Sequence, residues 1–152
     1  MTEFIPTHLG KQSSIETNPD LVILDKIPNP NPDLRYCCRF SAPEFSSLCP
    51  KTGQPDFATL IIDYVPRGFL LESKSLKLYL FAFRNRGDFH EKCTTDIGKR
   101  IYNTIQPRWL RIAGFWMARG GIAIDVVWED GTLPEDVHPL DINIIKPYAS
   151  RH

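Results

Sequence analysis

The clearest pattern in the chain is a repeat of apolar side chains after residue 88. The apolar positions recur every four residues, with charged residues between them: Phe89, Cys93, Ile97, Ile101 and Ile105. This spacing gathers them on one face and predicts an amphipathic helix. Asp88 stands three residues before Glu91, as in a capping box, so the helix is expected to begin there with His90 and Glu91 in its first turn.

Apolar runs on both sides of this helix predict four strands, over residues 34–41, 57–65, 109–117 and 122–128. Pro43 and Pro66 are expected to mark the ends of the first two strands. Gly120 and Gly121 can adopt positive φ, so a tight turn is expected between the last two strands. Residues 74–83 are so apolar that periodicity fits either a helix or a buried strand, and we favour the helix.

This order of elements predicts an α+β fold, in which a four-stranded antiparallel sheet carries two helices across one face in the order β-β-α-α-β-β. The predicted domain covers residues 34–129. Residues 1–33 contain five prolines and are expected to form an irregular N-terminal arm. Residues 130–152 form a C-terminal tail whose apolar positions are expected to pack back on the domain: Leu140, Ile142, Ile144 and Ile145.

Composition narrows the class of protein. The chain has 152 residues, 18 Lys and Arg against 18 Asp and Glu, and 42% hydrophobic residues, which describes one globular domain. Without net charge or a Lys/Arg run, the chain has no general attraction for nucleic acid or anionic lipid. We expect a cytoplasmic protein, since no apolar run is long enough to span a bilayer. Its cysteines are then expected as thiols, and it has no C-x-x-C pair.

One candidate for chemistry is the segment from Ser47 to Asp56, which contains two prolines and a glycine. These residues predict a constrained loop with Cys49 and Asp56 at its ends, outside regular elements. Such a loop suits a nucleophilic thiol, which must be accessible and close to groups that favour the thiolate. A small buried hydrophobic residue is the other interpretation of Cys49.

Two further segments combine charged residues with apolar sequence. Residues 71–77 contain Glu72, Lys74 and Lys77, which also fit an exposed helix start. Residues 88–91 contain His90 and Glu91, which also fit a surface histidine and a cap partner. A zinc site is disfavoured, because the few histidines stand in no cluster with ligand spacing.

Taken together, these segments carry a specific resemblance. The stretches SLCPKTGQPDF at 47–57, ESKSLKLY at 72–79, FRNRGDFHE at 83–91 and RGGI at 119–122 occur in order. They closely resemble the NADPH-dependent 7-cyano-7-deazaguanine reductases, the nitrile reductases of queuosine biosynthesis, in their single-module form. The match runs from about residue 35 to residue 128. The resemblance implies a tunnelling fold, whose sheets close into a multi-subunit barrel, and a homodecamer of two pentamers.

The resemblance also implies a reaction, a four-electron reduction of a nitrile to a primary amine with two NADPH. Cys49 would add to the nitrile carbon and form a thioimide, and Asp56 would donate a proton to the nitrogen. Such a covalent step divides one difficult reduction into easier ones. Water must stay out of the site, because it would hydrolyse the imine.

By the same resemblance, Glu91 would accept hydrogen bonds from the deazaguanine ring. The other implied pocket residues are Leu71, Glu72, Ser73 and His90. The cations implied to bind NADPH are Lys74, Lys77 and Arg119, at a site between subunits. The chain lacks the Gly-x-Gly-x-x-Gly fingerprint of a Rossmann crossover, and no metal is implied.

Two alternatives from other classes stay open at this point. One is a zinc-dependent, cyclohydrolase-like enzyme on the same fold, with Cys49, His90 and Cys93 as ligands. The other is a non-catalytic purine-binding module. A separate hypothesis is that Cys93 forms a reversible disulfide with Cys49 and protects it from over-oxidation.

Overall fold

The computed structural model describes Thr7 and residues 15–142. A short 3₁₀ helix at Ala82–Asn85 follows the first of two α-helices. The other elements, in chain order, are β1 (Lys26–Pro28), β2 (Cys38–Leu48), β3 (Pro55–Val65), β4 (Phe69–Leu71), α1 (Ser73–Phe81), α2 (His90–Ile105), β5 (Trp109–Arg119) and β6 (Ile122–Gly131). None of the helices among these described residues is long and apolar enough to cross a membrane.

The main sheet has the strand order β2-β3-β5-β6, and every neighbouring pair is antiparallel. This arrangement confirms the predicted α+β order of two strands, two helices and two strands, with residues 74–83 largely helical. The predicted turn at Gly120 and Gly121 is also confirmed, since both have positive φ, 57° and 81°. Strands β1 and β4 form a second, two-stranded antiparallel sheet that the apolar pattern did not predict.

The core lies between the helices and one face of the main sheet. Alternate residues of β3 point into it, and Leu60 and Ile62 are fully buried there. Helix α2 contributes the predicted apolar stripe, of which Cys93, Ile97, Ile101 and Ile105 are fully buried. Phe89 does not belong to the stripe as predicted. It precedes the helix and is 57% exposed.

Helix α2 approaches the sheet closely at two glycines. A Cβ atom at Gly98 would lie 2.7 Å from side-chain carbons of both Ile112 and Trp128. A Cβ atom at Gly114 of β5 would lie 2.6 Å from the Thr94 Oγ1 atom of α2. Both distances are far below van der Waals contact, so the packing distance between helix and sheet depends on these two missing side chains.

Strand β2 differs from its prediction in both bounds. It begins at Cys38 and continues to Leu48, so Pro43 does not end it. The register with β3 shifts between Ala42 and Phe45, which marks a β-bulge around the proline. Because β2 lies at an edge of the sheet, the missing N–H of Pro43 breaks no ladder bond to a second neighbour.

The opposite face of the sheet contains a buried charge cluster centred on Asp63. Its carboxylate is 1% exposed and accepts hydrogen bonds from Arg39 (2.6 and 2.8 Å) and Arg111 (2.7 Å). Both guanidinium groups also donate to the Leu140 carbonyl of the tail, at 2.8 and 3.1 Å. Ile61 and Val65 lie on the same face as Asp63 and are also buried, which explains why apolar and polar residues do not alternate cleanly along β3.

The arm and the tail both contact the domain where they are described. Strand β1 lies within the predicted irregular arm, and Val22 and Leu24 are buried in the core. In the tail, Val137 is buried against Val65 and Trp109. The Leu140 side chain is 63% exposed, so it does not pack on the domain as predicted, although its carbonyl is bound. Ile144 and Ile145 lie outside the described residues.

Replacing Asp63 with Asn should lower the free energy of unfolding by about 3–5 kcal/mol, because it leaves two largely buried arginines without their counter-charge. Urea unfolding at one protein concentration measures this difference. The matched control is Asp136→Asn, which breaks the exposed pair between Arg35 and Asp136 (54% and 60% side-chain exposure) and should change stability little. Equal effects of the two substitutions would contradict the prediction.

Candidate active site

The turn between β2 and β3 holds Cys49 at its first position. The Cys49 N–H donates to the Gln54 carbonyl (2.8 Å), and the Gly53 N–H donates to the Cys49 carbonyl (2.9 Å). The loop therefore covers only residues 49–54. Asp56 was predicted to lie outside regular elements, but it is the second residue of β3 and pairs with Ser47 of β2. The strands simply continue further into the predicted loop than its prolines indicated.

A third chain segment is bound to this turn through Leu48. The Leu48 N–H donates to the Arg86 carbonyl (2.9 Å), and the Asp88 N–H donates to the Leu48 carbonyl (3.2 Å). These bonds bring the start of α2 beside Cys49. The predicted capping box is wrong, since the N-cap is Phe89 and no side chain caps it. The Asp88 carboxylate pairs instead with Arg86 Nε (3.0 Å) and Lys92 Nζ (3.7 Å).

Asp56 and His90 meet in a buried position at this end of the sheet. They are 4% and 3% exposed, and Asp56 Oδ2 lies 3.1 Å from His90 Nε2. The imidazole ring stacks on the indole of Trp116, with 4.0 Å between the ring centroids and 5° between the planes. Trp116 is held in turn by a hydrogen bond from its Nε1 to Thr94 Oγ1 (3.1 Å). His90 is therefore packed in one orientation against Asp56.

The loop favours the thiolate form of Cys49. Hydrogen bonds from the Thr52 hydroxyl and from the backbone N–H groups of Thr52 and Lys51 lower the pKa of Cys49 to about 7. Arg119 acts in the same direction with a smaller effect. The thiol is 9% exposed, so it combines partial access with a stabilised anion. The sequence analysis did not predict a role for Thr52, because its hydroxyl reaches Cys49 only when the turn is folded.

Arg119 lies beside both Cys49 and Asp56. Its Nη1 atom is 3.3 Å from Asp56 Oδ1, and its side chain is 49% exposed. The sequence analysis assigned Arg119 to the cofactor only. In the structure it also contributes positive charge between Asp56 and the solvent-exposed hairpin tip.

A second group of predicted residues lies at the start of α1. Its five members are Leu71, Glu72, Ser73, Lys74 and Lys77. Glu72 caps this helix, because its carboxylate accepts from the N–H groups of Lys74 (2.8 Å) and Ser75 (2.7 Å). Leu71 and Glu72 are buried, whereas Ser73 and Lys77 are exposed. An apolar groove of about 670 Å³ lies between α1 and β2, and Ser73 and Lys77 are among the polar residues that line it.

Within one chain, this second group is far from Cys49. The Leu71 N–H donates to the Tyr64 hydroxyl (3.3 Å), and Tyr64 lies eight residues after Asp56 on β3. Eight strand residues span roughly 26 Å, which exceeds the length of a purine-like base several times over. Glu91 is exposed on the first turn of α2 and is next to His90. It therefore lies with Cys49, Asp56, His90 and Arg119, which we call the Cys49 group. The predicted pocket residues are therefore not gathered into one pocket by a single chain.

The zinc alternative finds no support in the described part of the chain. No three His, Cys, Asp or Glu side chains are grouped there as metal ligands. Cys93 is fully buried in the core, and this burial raises the pKa of its thiol to about 12. A thiol in this environment is a poor source of the thiolate that zinc binds.

The Cys49 group also has unsatisfied buried atoms. Among the described residues, six buried side-chain nitrogen or oxygen atoms lack a hydrogen-bond partner, and four of them belong to Ser47, Asp56 and His90. Asp56 Oδ2 and His90 Nε2 are close enough for an ion pair, but they do not form a hydrogen bond with each other. Since buried polar atoms are normally paired, this concentration is typical of a site that binds a polar ligand.

Comparison with known proteins identifies the family of this chain. The model of one protein family, described as QueF-like protein, matches residues 55–135, which include Asp56, His90, Glu91 and Arg119. The chain belongs to the QueF-like protein family. The family's match begins at β3 and continues beyond β6, so it covers most of the main sheet and α2.

Relatives of this QueF-like chain have similar length. Proteins named NADPH-dependent 7-cyano-7-deazaguanine reductase match it at 57% identity in Rhodopseudomonas palustris (strain TIE-1), over 94% of this chain and 90% of the relative. The same name is carried by relatives in Methylorubrum extorquens (strain PA1), 55% identical over 97% of each chain, and in Caulobacter vibrioides (strain NA1000 / CB15N), 52% identical over 99% of each chain.

A solved structure shares the fold. The archaeosine synthase QueF-Like in the apo form superposes with a TM-score of 0.59 and 23% identity. The match covers 64% of this chain and 96% of that one.

Alkylation of Cys49 by iodoacetamide should follow a titration with its midpoint near pH 7, because only the thiolate reacts. Thr52→Val should move the midpoint upward, since it removes the hydroxyl that stabilises the anion, whereas Thr52→Ser should retain the midpoint. Mass spectrometry of the Cys49 peptide at a series of pH values measures the rates. An unchanged midpoint in Thr52→Val would refute the role of the hydroxyl.

Proposed function

We propose that this chain reduces the nitrile of 7-cyano-7-deazaguanine to the aminomethyl group with NADPH, in queuosine biosynthesis. The observation that carries the proposal is the meeting of a thiol of lowered pKa, Cys49, with a buried carboxyl, Asp56, and a stacked imidazole, His90. A nucleophile and a proton-transfer group at one buried point are what addition to a nitrile requires. Relatives of nearly the same length carry the name of this activity.

Cys49 performs the first step. Its sulfur bonds to the nitrile carbon, one π bond of the nitrile breaks, and Asp56 delivers a proton to the nitrogen. The product is a thioimide. The proton that Cys49 loses on becoming the thiolate replaces the one that Asp56 delivers, so the step adds one thiol across one nitrile π bond. A thiolate at neutral pH makes the attack efficient, and the buried position of Asp56 brings its proton to a nitrogen that solvent does not reach.

NADPH supplies, when bound, the hydride for each of the two reductions. After the first reduction Cys49 holds a thiohemiaminal, and collapse of this adduct breaks the carbon–sulfur bond and releases an imine. A low thiol pKa makes Cys49 a good leaving group at this stage. The packed Trp116 and His90 rings limit access of water to the imine until the second reduction makes the amine.

Recognition of the ring system requires a second copy of the chain. Glu91 is next to His90 and can accept hydrogen bonds from ring N–H groups. Leu71, Glu72 and Ser73 lie at the other end of the sheet, so they reach the same ligand only from a neighbouring copy.

The cations proposed for NADPH also lie at two separate places in the chain. Lys74 and Lys77 are on α1, whereas Arg119 is beside Asp56. Three cations fit the pyrophosphate and the 2′-phosphate of this cofactor, because charge-assisted hydrogen bonds are strongest with phosphate oxygens. We assign Lys74 and Lys77 to one copy and Arg119 to the next.

The sheet itself supports an assembly. Within residues 15–142, no partner strand lies along the outer edge of β2 or of β6. Large apolar side chains are exposed on or near the sheet, including Phe57 (49%), Met117 (66%), Ile122 (71%) and Val127 (56%). Closing such sheets into a ring removes both features at once. We propose that five copies close into a barrel. Two of these pentamers then stack as a homodecamer, which we place in the cytoplasm.

Incubating the protein with 7-cyano-7-deazaguanine and no cofactor should add the mass of the substrate to the intact chain. Cys49→Ala should show no increment, because no sulfur is left for the thioimide. Intact-mass spectrometry makes the measurement, and peptide mapping locates the adduct. Cys38→Ala is the matched control, since it removes a half-buried thiol elsewhere and should keep the increment. An adduct on Cys49→Ala, or none on the native chain, would refute the mechanism.

Two inactive variants should restore activity when they share an oligomer. Cys49→Ala lacks the nucleophile, and Lys77→Glu opposes the cofactor phosphates, so each alone should be inactive. In randomly mixed oligomers, about a quarter of the sites formed between neighbours carry neither substitution. Oxidation of NADPH after mixing, unfolding and reassembly measures the recovery. A site contained in one chain would give no recovery.

A further inference from the structure

Ser47 is a buried polar residue that no step above uses. It lies near the end of β2 and is fully buried, and its Oγ atom has no hydrogen-bond partner among the residues that the structure describes. A buried hydroxyl without a partner is uncommon, because its desolvation is not compensated. The nearby hydroxyl of Thr94 is already bonded to Trp116 Nε1 and to the His90 carbonyl (2.9 Å).

The strand register aims Ser47 into the active site. Ser47 is paired directly with Asp56 across β2 and β3, so the two side chains share a face and their Cβ atoms are about 4.5–5.5 Å apart. Cys49 follows two residues later, at the point where β2 passes into the turn, on the same side of the strand. Asp56 Oδ2 also lacks a hydrogen-bond partner. Two buried polar atoms that lack hydrogen-bond partners thus face one small volume beside the nucleophile.

We propose that Ser47 is a further active-site residue whose hydroxyl hydrogen-bonds the reacting nitrogen of the substrate. The inference rests on the function proposed above and adds a second group at that nitrogen, beside Asp56. A hydroxyl suits the position because it can both donate and accept. It donates to the nitrile nitrogen during attack by Cys49 and accepts from the N–H groups that the nitrogen gains later. The contact holds the C=N unit in one orientation through both reductions.

The variant Ser47→Ala separates this role from a structural one. Removing a hydroxyl that has no partner should leave thermal stability equal or slightly higher. Loss of the contact to the nitrogen should lower kcat by about 10-fold to 100-fold, with KM for the nitrile within about twofold, because the contact strengthens as the nitrogen gains charge. The rate of adduct formation without cofactor should fall by a similar factor. Thr59→Val, which removes a hydroxyl from the opposite face of β3, is the matched control and should change neither rate.

Steady-state oxidation of NADPH, time-resolved intact mass and thermal unfolding provide the three readouts. Ser47→Ala with native kcat and a native rate of adduct formation would overturn the role of Ser47 while the proposed function stands. A decrease in kcat that is matched by the loss of folded protein would also overturn it. If the native chain forms no adduct at all, the proposed function fails, and the role of Ser47 fails with it.

Discussion

The candidate active site of this molecule depends on the backbone of Leu48. This residue pairs with β3 on one side, and its N–H and carbonyl bond to the segment before α2 on the other. Three elements that are distant in sequence are thereby joined around one peptide unit. Cys49 follows Leu48 directly, Asp56 follows its pairing partner Pro55, and His90 opens the helix that comes after the third segment. The geometry of the candidate site is thus mainly a result of backbone hydrogen bonding.

Local patterns predicted most of the fold. The stripe of α2, the two hairpin strands and their glycine turn depend on neighbouring residues, and the sequence contains that information. The extension of β2 through Pro43 was missed, because a proline is tolerated only where the strand has a free edge, and edge position is a property of the whole sheet. The capping box failed for a similar reason. Asp88 has the right residue type, but its N–H and carboxylate are bound to Leu48 and to Arg86 and Lys92.

The identity of the candidate residues came from motifs, whereas their grouping came only from the structure. Nothing local in the sequence places Trp116 behind His90, the Thr52 hydroxyl on Cys49, or Ser47 opposite Asp56. The separation of Leu71 from Asp56 along β3 is also invisible to a motif, which records order and not distance. The role of Asp63 could not be predicted from the sequence either. This acidic residue in an apolar strand is stabilised by two arginines that lie on other strands.

The two glycine contacts of α2 have a consequence for engineering this enzyme toward other nitriles. Gly98 and Gly114 leave no room for even a methyl group. A substitution that moved α2 outward would therefore disrupt the close packing between this helix and the sheet. The wall that carries His90 is therefore a poor place to gain volume for a bulkier guest. Side chains at positions 50, 51 and 54 of the hairpin loop are exposed, and the Cys49 thiolate does not depend on them, so these positions offer more freedom for reshaping the entrance.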